Sequence, residues 1–239
     1  MHHQPSVSVV LATRRPTLLR HALMGIARQR GVASLELVLA PHGFEPDPAQ
    51  VREWLGDAVP HTIVPAPEEA LFGDVLNSAA EAATGDVVLK MDDDDWYSPD
   101  FVADLLHARA YSGAELVGAP DDLYYLADED RTLRLGQPSE VYRQFVAGGT
   151  MLLDRTLLRE VGGFRSVRRH VDAQLIAAVR DAGGATYRTH GLGYVLQRAS
   201  YGHTWEADLA DLTGRAVQTW EGFRPGRLME IEPEAPQPG

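Results

Sequence analysis

Four consecutive aspartates, Asp92 to Asp95, are the residues of this chain whose type and spacing speak most directly of chemistry. Adjacent carboxylates repel one another, and the repulsion grows where water is excluded. These four follow a predicted buried strand, Asp86 to Met91, and precede Trp96–Tyr97, so they are placed at a buried strand end rather than in a solvated acidic turn. A divalent cation offsets the repulsion, because carboxylate oxygens are the ligands that Mg²⁺ and Mn²⁺ prefer. A calcium-binding loop of the EF-hand kind is not supported, since its glycine and late glutamate are missing at the required offsets. Arg14 and Arg15, behind another apolar run, are suited to meeting a phosphate, or equally to forming a solvated loop pair. Arg165, Arg168, Arg169 and His170 make a basic flank that suits an anionic acceptor or a product phosphate, with an ordinary surface cluster as the alternative.

The composition narrows the classes of function. The formal charge is −12 over 239 residues, which disfavours a general nucleic-acid binder, since phosphate neutralisation needs a basic surface. The absence of cysteine removes thiol nucleophiles, zinc–thiolate centres and disulfide scaffolds. Lys90 is the sole lysine, and no glycine-rich loop precedes it, so a phosphate-binding loop is not indicated. No run approaches the roughly 20 apolar residues of a membrane span. Met1 to Pro5 lack the pattern of a signal peptide, and the chain is expected to be cytoplasmic.

The elements that must position these residues follow from apolar periodicity. Val7–Ala12, Leu35–Ala40, His61–Val64 and Asp86–Met91 read as strands, with helices between them over residues 18–27, 51–55 and 73–83. Strands alternating with helices predict an α/β fold with a doubly wound, mostly parallel sheet. Ligands of such sheets bind beyond the carboxyl ends of the strands, where the loops after Ala12, Ala40 and Met91 lie. Ser98 is predicted to cap a helix beginning there. Further on, residues 115–126, 131–135, 150–153, 185–190 and 193–198 are predicted strands. Asp154 is predicted to cap a short helix that Gly162–Gly163 ends, and residues 171–182 a longer one. Pro- and Glu-rich residues 229–239 are expected to be disordered.

The segment Asn77 to Asp100, running strand, aspartate block, aromatic pair, Pro–Asp, helix, resembles the donor-site stretch of family 2 glycosyltransferases of the GT-A fold. Thr13–Arg14–Arg15–Pro16 is similar to that family's first nucleotide-binding loop. Gly148–Gly149–Thr150, Gly162–Gly163–Phe164, the acid-bearing helix start at Asp172 and His203–Thr204–Trp205 follow in the family's order. The resemblance spans roughly residues 6 to 205 and implies a mostly parallel central sheet flanked by helices. A small second antiparallel sheet would lie toward the acceptor side. It also implies one GT-A domain over residues 1–228, with a nucleotide-binding half over about 6–100 and an acceptor half over about 101–228.

The reaction implied is inverting transfer of a sugar from a nucleotide-diphosphate donor to an acceptor hydroxyl, with Mn²⁺ or Mg²⁺ as cofactor. By the same resemblance Asp94 holds the metal and Asp172 is the general base. Thr13, Arg15, Asn77, Asp92, Asp93, Gly148 and Gly149 would contact the donor, and His203 would be a further metal ligand or a pyrophosphate contact. Asp95 is expected to be structural, and Tyr124, Tyr125, Tyr142 and Phe145 either line the acceptor groove or belong to the core. Two positions depart from the family pattern: Pro41–His42 replaces an acidic pair that reads the base, and Val171 replaces a glutamate before Asp172. Two other classes remain in view. A sugar-1-phosphate nucleotidyltransferase would carry a glycine-rich basic loop after the first strand, and a degenerate member would bind nucleotide or glycan without turnover.

Overall fold

The computed structural model describes residues 4–198 and 209–225. The first half contains β1 (Val7–Thr13), α1 (Leu19–Ala27), β2 (Leu35–Pro41), α2 (Pro48–Leu55), β3 (His61–Ile63), α3 (Phe72–Ala82), β4 (Val87–Met91), β5 (Trp96–Tyr97) and α4 (Phe101–Ser112). It is followed by β6 (Leu116–Gly118), β7 (Leu123–Leu126), β8 (Arg131–Arg134), β9 (Val141–Tyr142), β10 (Leu152–Asp154), α5 (Arg155–Glu160) and α6 (Val171–Asp181). The last elements are β11 (Thr186–Arg188), β12 (Tyr194–Arg198), α7 (Leu209–Arg215) and β13 (Gln218–Glu221).

The valine-rich runs form strands buried along their whole length, β1 and β4 foremost. Strands covered on both faces need no polar alternation. Side chains still alternate between the two faces. Val9, Leu11, Leu37, Leu39 and Leu89 pack on one side with α1, α2 and α4. Val10, Val38 and Val88 pack on the other with α3 and α6.

The larger sheet has eight strands in the order β3-β2-β1-β4-β10-β6-β11-β9. The first four are parallel, as are β6 and β11. β10 runs antiparallel to both its neighbours, β4 and β6. The result is the mostly parallel central sheet flanked by helices that the sequence predicts. A second, five-stranded sheet has the order β13-β8-β7-β12-β5. It is largely antiparallel, with one parallel pair, β7 and β12.

Three local expectations are corrected. The run predicted as strand over 115–126 splits into β6 and β7, which join different sheets, with Pro120 between them unable to donate to a ladder. Ser98 does not cap a helix: α4 starts at Phe101 behind Asp100. The chain stays extended through Ser98 because β5 pairs with β12 and the Ser98 amide donates to the Gly193 carbonyl at 2.8 Å. Asp154 precedes α5 without a capping bond, because its carboxylate receives the Arg109 guanidinium at 2.7 and 2.8 Å. His203 and the tail predicted over 229–239 lie outside the described residues. Among the described residues no helix is long and apolar enough to cross a membrane.

Candidate active site

Residues two apart on a strand share a face, so β4 sends the Lys90 side chain and Asp92, just beyond its end, in the same direction. Lys90 is 2% exposed, and its ammonium donates to Asp92 Oδ1 at 2.7 Å and to the Gly148 carbonyl at 3.1 Å. It also lies 3.3 Å from Asp172 Oδ1. Burial works against the ammonium, but Asp172 and Asp92 outweigh it and hold its pKa above lysine's ordinary range. Asp172 comes from the first turn of α6. Its Oδ1 is sealed from solvent and makes no well-aligned hydrogen bond, so the contact with Lys90 is an ion pair alone. Burial pushes its pKa up while Lys90 pulls it down, and burial prevails. Asp172 Oδ2 lies over Gly148, where any Cβ would overlap it.

The next two aspartates are bound to the β1 loop. Asp93, 3% exposed, accepts from the Thr13 hydroxyl and from the Arg15 guanidinium. Arg15 Nη1 reaches Asp94 Oδ2 at 2.9 Å. Burial raises the Asp93 pKa, and Arg15 and Thr13 only partly reverse it. Arg15 is held above its usual range: burial opposes its charge, and the two carboxylates outweigh burial.

Asp95 turns the other way, into the second sheet. It accepts from the Tyr194 hydroxyl and from the Gln197 amide, and Arg198 Nη1 lies 3.6 Å away. Burial, then repulsion from Asp94, pushes its pKa up to about 7. A carboxyl whose folded value exceeds its unfolded one, about 3.9, adds stability that is complete below the unfolded value. That contribution is lost as pH rises through the folded value. Wild-type stability in EDTA is therefore expected to fall between pH 5 and pH 8. Asp95→Asn, uncharged throughout, is expected to flatten this slope in thermal unfolding. Asp93 and Asp172 slope the same way, so part of the decline persists. An unaltered slope in Asp95→Asn would refute the account.

These groups share one cleft of about 740 Å³ at the carboxyl ends of β1 and β4. Of the residues predicted to act, Thr13, Arg15, Asp92, Asp93, Asp94, Gly148, Gly149 and Asp172 all line it, as do Tyr124 and Phe145. Asn77 does not: its side-chain amide donates to the Phe164 carbonyl at 2.7 Å and accepts from the Phe164 amide at 2.8 Å. Tyr125 and Tyr142 are also outside the lining. Gly148 and Gly149 contribute their carbonyls to the surrounding framework, the latter to the Tyr97 hydroxyl at 2.9 Å. His42 occupies one corner against the Arg14 guanidinium, at 2.7 and 2.9 Å. Burial, reinforced by Arg14, lowers the His42 pKa.

Sequence reasoning missed Lys90 and Tyr97. The signal for Lys90 was its place inside an apolar strand, on the face that Asp92 shares. Tyr97 accepts from the Asp92 amide at 2.9 Å and is fully enclosed, which no periodicity reveals.

No three His, Asp or Glu side chains among the described residues converge as a metal cluster. Each of Asp92, Asp93 and Asp94 already faces a cation of the chain. The donor set still fits Mg²⁺, which keeps several waters and is typically held by one or two carboxylates together with substrate phosphates. Asp94, part-exposed in the cleft, is the carboxylate placed to serve it.

A family model described as "Glycosyl transferase family 2" matches residues 51–176, just over half of the chain. A search of curated proteins gives no significant match. Among solved structures, mannosyltransferase PcManGT from Pyrobaculum calidifontis, in complex with GDP-Man and Mn²⁺, superposes with a TM-score of 0.66 at 19% identity. The match covers 85% of this chain and 59% of that one. S. aureus TarS 1-349, in complex with UDP-GlcNAc, gives 0.66 at 13% identity over 88% of this chain and 64% of that one. The chain thus spans about three fifths of the length of these structures, which it resembles in fold.

Proposed function

This chain belongs to glycosyl transferase family 2, and from that premise we propose that it moves a sugar from a nucleoside-diphosphate donor to an acceptor hydroxyl, with inversion. The observation that carries this reading is the joining of the aspartate block to Asp172, far apart in sequence, across one buried lysine in a single cleft.

Inversion in one displacement needs one base beside the acceptor oxygen. Asp172 serves as that base: the acceptor hydroxyl attacks the anomeric carbon and its proton passes to the carboxylate. Lys90 holds Oδ1 and thereby fixes the carboxylate's orientation over Gly148. The missing side chain at Gly148 leaves the space that Asp172 occupies. Thr13, Arg15 and Asp93 form the wall against which the donor's nucleotide rests, and Arg14 with His42 closes the corner beyond β2. Asp94 would hold Mg²⁺ or Mn²⁺, which when bound supplies positive charge to the departing diphosphate. The relatives bound to GDP-Man and Mn²⁺ and to UDP-GlcNAc support a nucleotide-sugar donor.

Calorimetry with UDP, GDP and TDP, with and without Mn²⁺, tests the reading. One nucleotide is expected to bind, and more tightly with metal. Asp94→Asn is expected to weaken the metal-dependent part by roughly 10–100-fold or more, the loss found even for outer-shell partners of a metal. Equal metal-dependent affinity in the mutant would remove Asp94 from the metal site. If none of the three nucleotides binds, the glycosyltransferase reading itself fails.

A further inference from the structure

We propose that the cleft rim beside Asp172 is a binding site for a phosphate group carried by the acceptor, formed by Arg168, Arg169 and His170. This rests on the glycosyltransferase reading and adds the chemical class of the acceptor.

The argument starts from how charge is distributed in the cleft. Lys90 is tied to Asp92 and Asp172, Arg15 to Asp93 and Asp94, and Arg198 to Asp95. Arg14 lies against His42 and the Glu68 carbonyl. Arg168 and Arg169 line the same cleft, yet neither makes an ion pair or hydrogen bond among the described residues. Among the described residues, the cleft cations without a carboxylate partner are therefore Arg14, held by an imidazole and a carbonyl, and the pair Arg168 and Arg169, which nothing else holds and which share one rim. In a chain of net charge −12 an anionic acceptor is repelled in general, and a local pair of arginines is where it can be received. Guanidinium forks match the oxygens of a phosphate in geometry as well as charge.

The rim is held in place. The loop leading to it is pinned to α3: Phe164 is buried and bonded twice to Asn77, and Ser166 Oγ donates to Asp74 at 2.8 Å. The Gly73 amide donates to the Val167 carbonyl at 3.2 Å, and a Cβ on Gly73 would overlap the Arg165 carbonyl. His170 then adopts a left-handed conformation, φ 62°, and precedes α6 without capping it. The three basic residues therefore end within four positions of Asp172. The base must touch the acceptor hydroxyl, so cations so close to it meet the acceptor rather than the nucleotide.

The test uses the full chain with Mg²⁺ and a saturating nucleoside diphosphate, so that the donor's phosphate positions are filled. Glycerol 3-phosphate, inorganic phosphate and glycerol are then titrated by calorimetry. Glycerol 3-phosphate is expected to bind and glycerol not. Arg168→Ala/Arg169→Ala is expected to weaken the phosphate monoester by at least about tenfold, with partial rescue by Arg168→Lys/Arg169→Lys and no change in nucleotide affinity beyond about twofold. The single alanine variants give the same readout if the double variant fails to fold. No binding of the monoester to the nucleotide-loaded protein, or equal binding by the alanine variant, overturns the proposal and leaves the glycosyltransferase reading standing. Inorganic phosphate binding more than about tenfold tighter than the monoester marks a site for a released phosphate, and also overturns it. Failure of every nucleoside diphosphate to bind removes both.

Discussion

Asp172→Asn is expected to lower turnover at saturating donor by roughly 10²–10⁴-fold, the range a positioned general base contributes, with nucleotide affinity unchanged. The substitution is nearly isosteric, and the asparagine carbonyl can still face the Lys90 ammonium. If Asp172 only complements the dipole of α6, its removal costs no more than about 1 kcal/mol of stability and leaves turnover intact. The two roles therefore differ by orders of magnitude in rate and agree on binding. Turnover and nucleotide affinity of both proteins, measured side by side, separate them. A mutant retaining more than about a tenth of wild-type turnover falls outside that range and moves the base elsewhere. Asp121 is then next, since it lines the cleft and burial raises its pKa. Asp122 is bound to Arg134 and the Gln137 amide, and Glu140 to the hydroxyls of Tyr111 and Tyr187.

Lys90→Met is expected to be the most destabilising single change in the cleft. It preserves length and apolar volume but leaves Asp92 and Asp172 facing each other without a counter-ion. Removing one partner of a buried pair costs about 3–5 kcal/mol. In a chain of this size that lowers the melting temperature by roughly 6–20 °C. The Lys90 pKa is raised above its ordinary range, so the stability its charge brings is constant across pH 5 to 9 and would be lost only at higher pH. Any pH dependence of the mutant's deficit therefore belongs to the carboxylates. Burial already raises the Asp172 pKa, and without the ammonium it rises further, so the deficit is expected to shrink at pH 5.5 relative to pH 8. Urea unfolding at both values measures it. A deficit below about 1 kcal/mol, the scale of an exposed pair, would show that the triad is not enclosed as described.

The parts of this protein legible in sequence were those with long-range redundancy. β1, β2 and β4 are near-continuous apolar runs, short and rich in valine and leucine, which read as strands buried on both faces. The aspartate block stood out because burial makes like charge costly. What was not legible depends on pairings across the chain. β5 and β9 have two residues each, too short for any period, and exist because β12 and β11 lie beside them. Asn77 is placed in sequence where a donor contact is expected, yet its amide is satisfied by the backbone of Phe164, which only the fold brings near. Lys90 reads in sequence as an isolated cation and becomes the centre of the site once Asp172 arrives from α6.

The position of β10 bears on how the chain reaches this state during synthesis. β4 emerges with β1 on one flank and nothing on the other, because its second neighbour begins only at Leu152. At about 5–20 residues per second, the ribosome leaves that edge open for roughly 3–12 s. Open edges template pairing with other chains. For the same interval Lys90 has no Asp172 to face. A product terminated before β10 would thus present an unpaired β4 edge, with Asp95 lacking Tyr194 and Arg198, and the nascent protein has reason to be escorted until that strand is inserted.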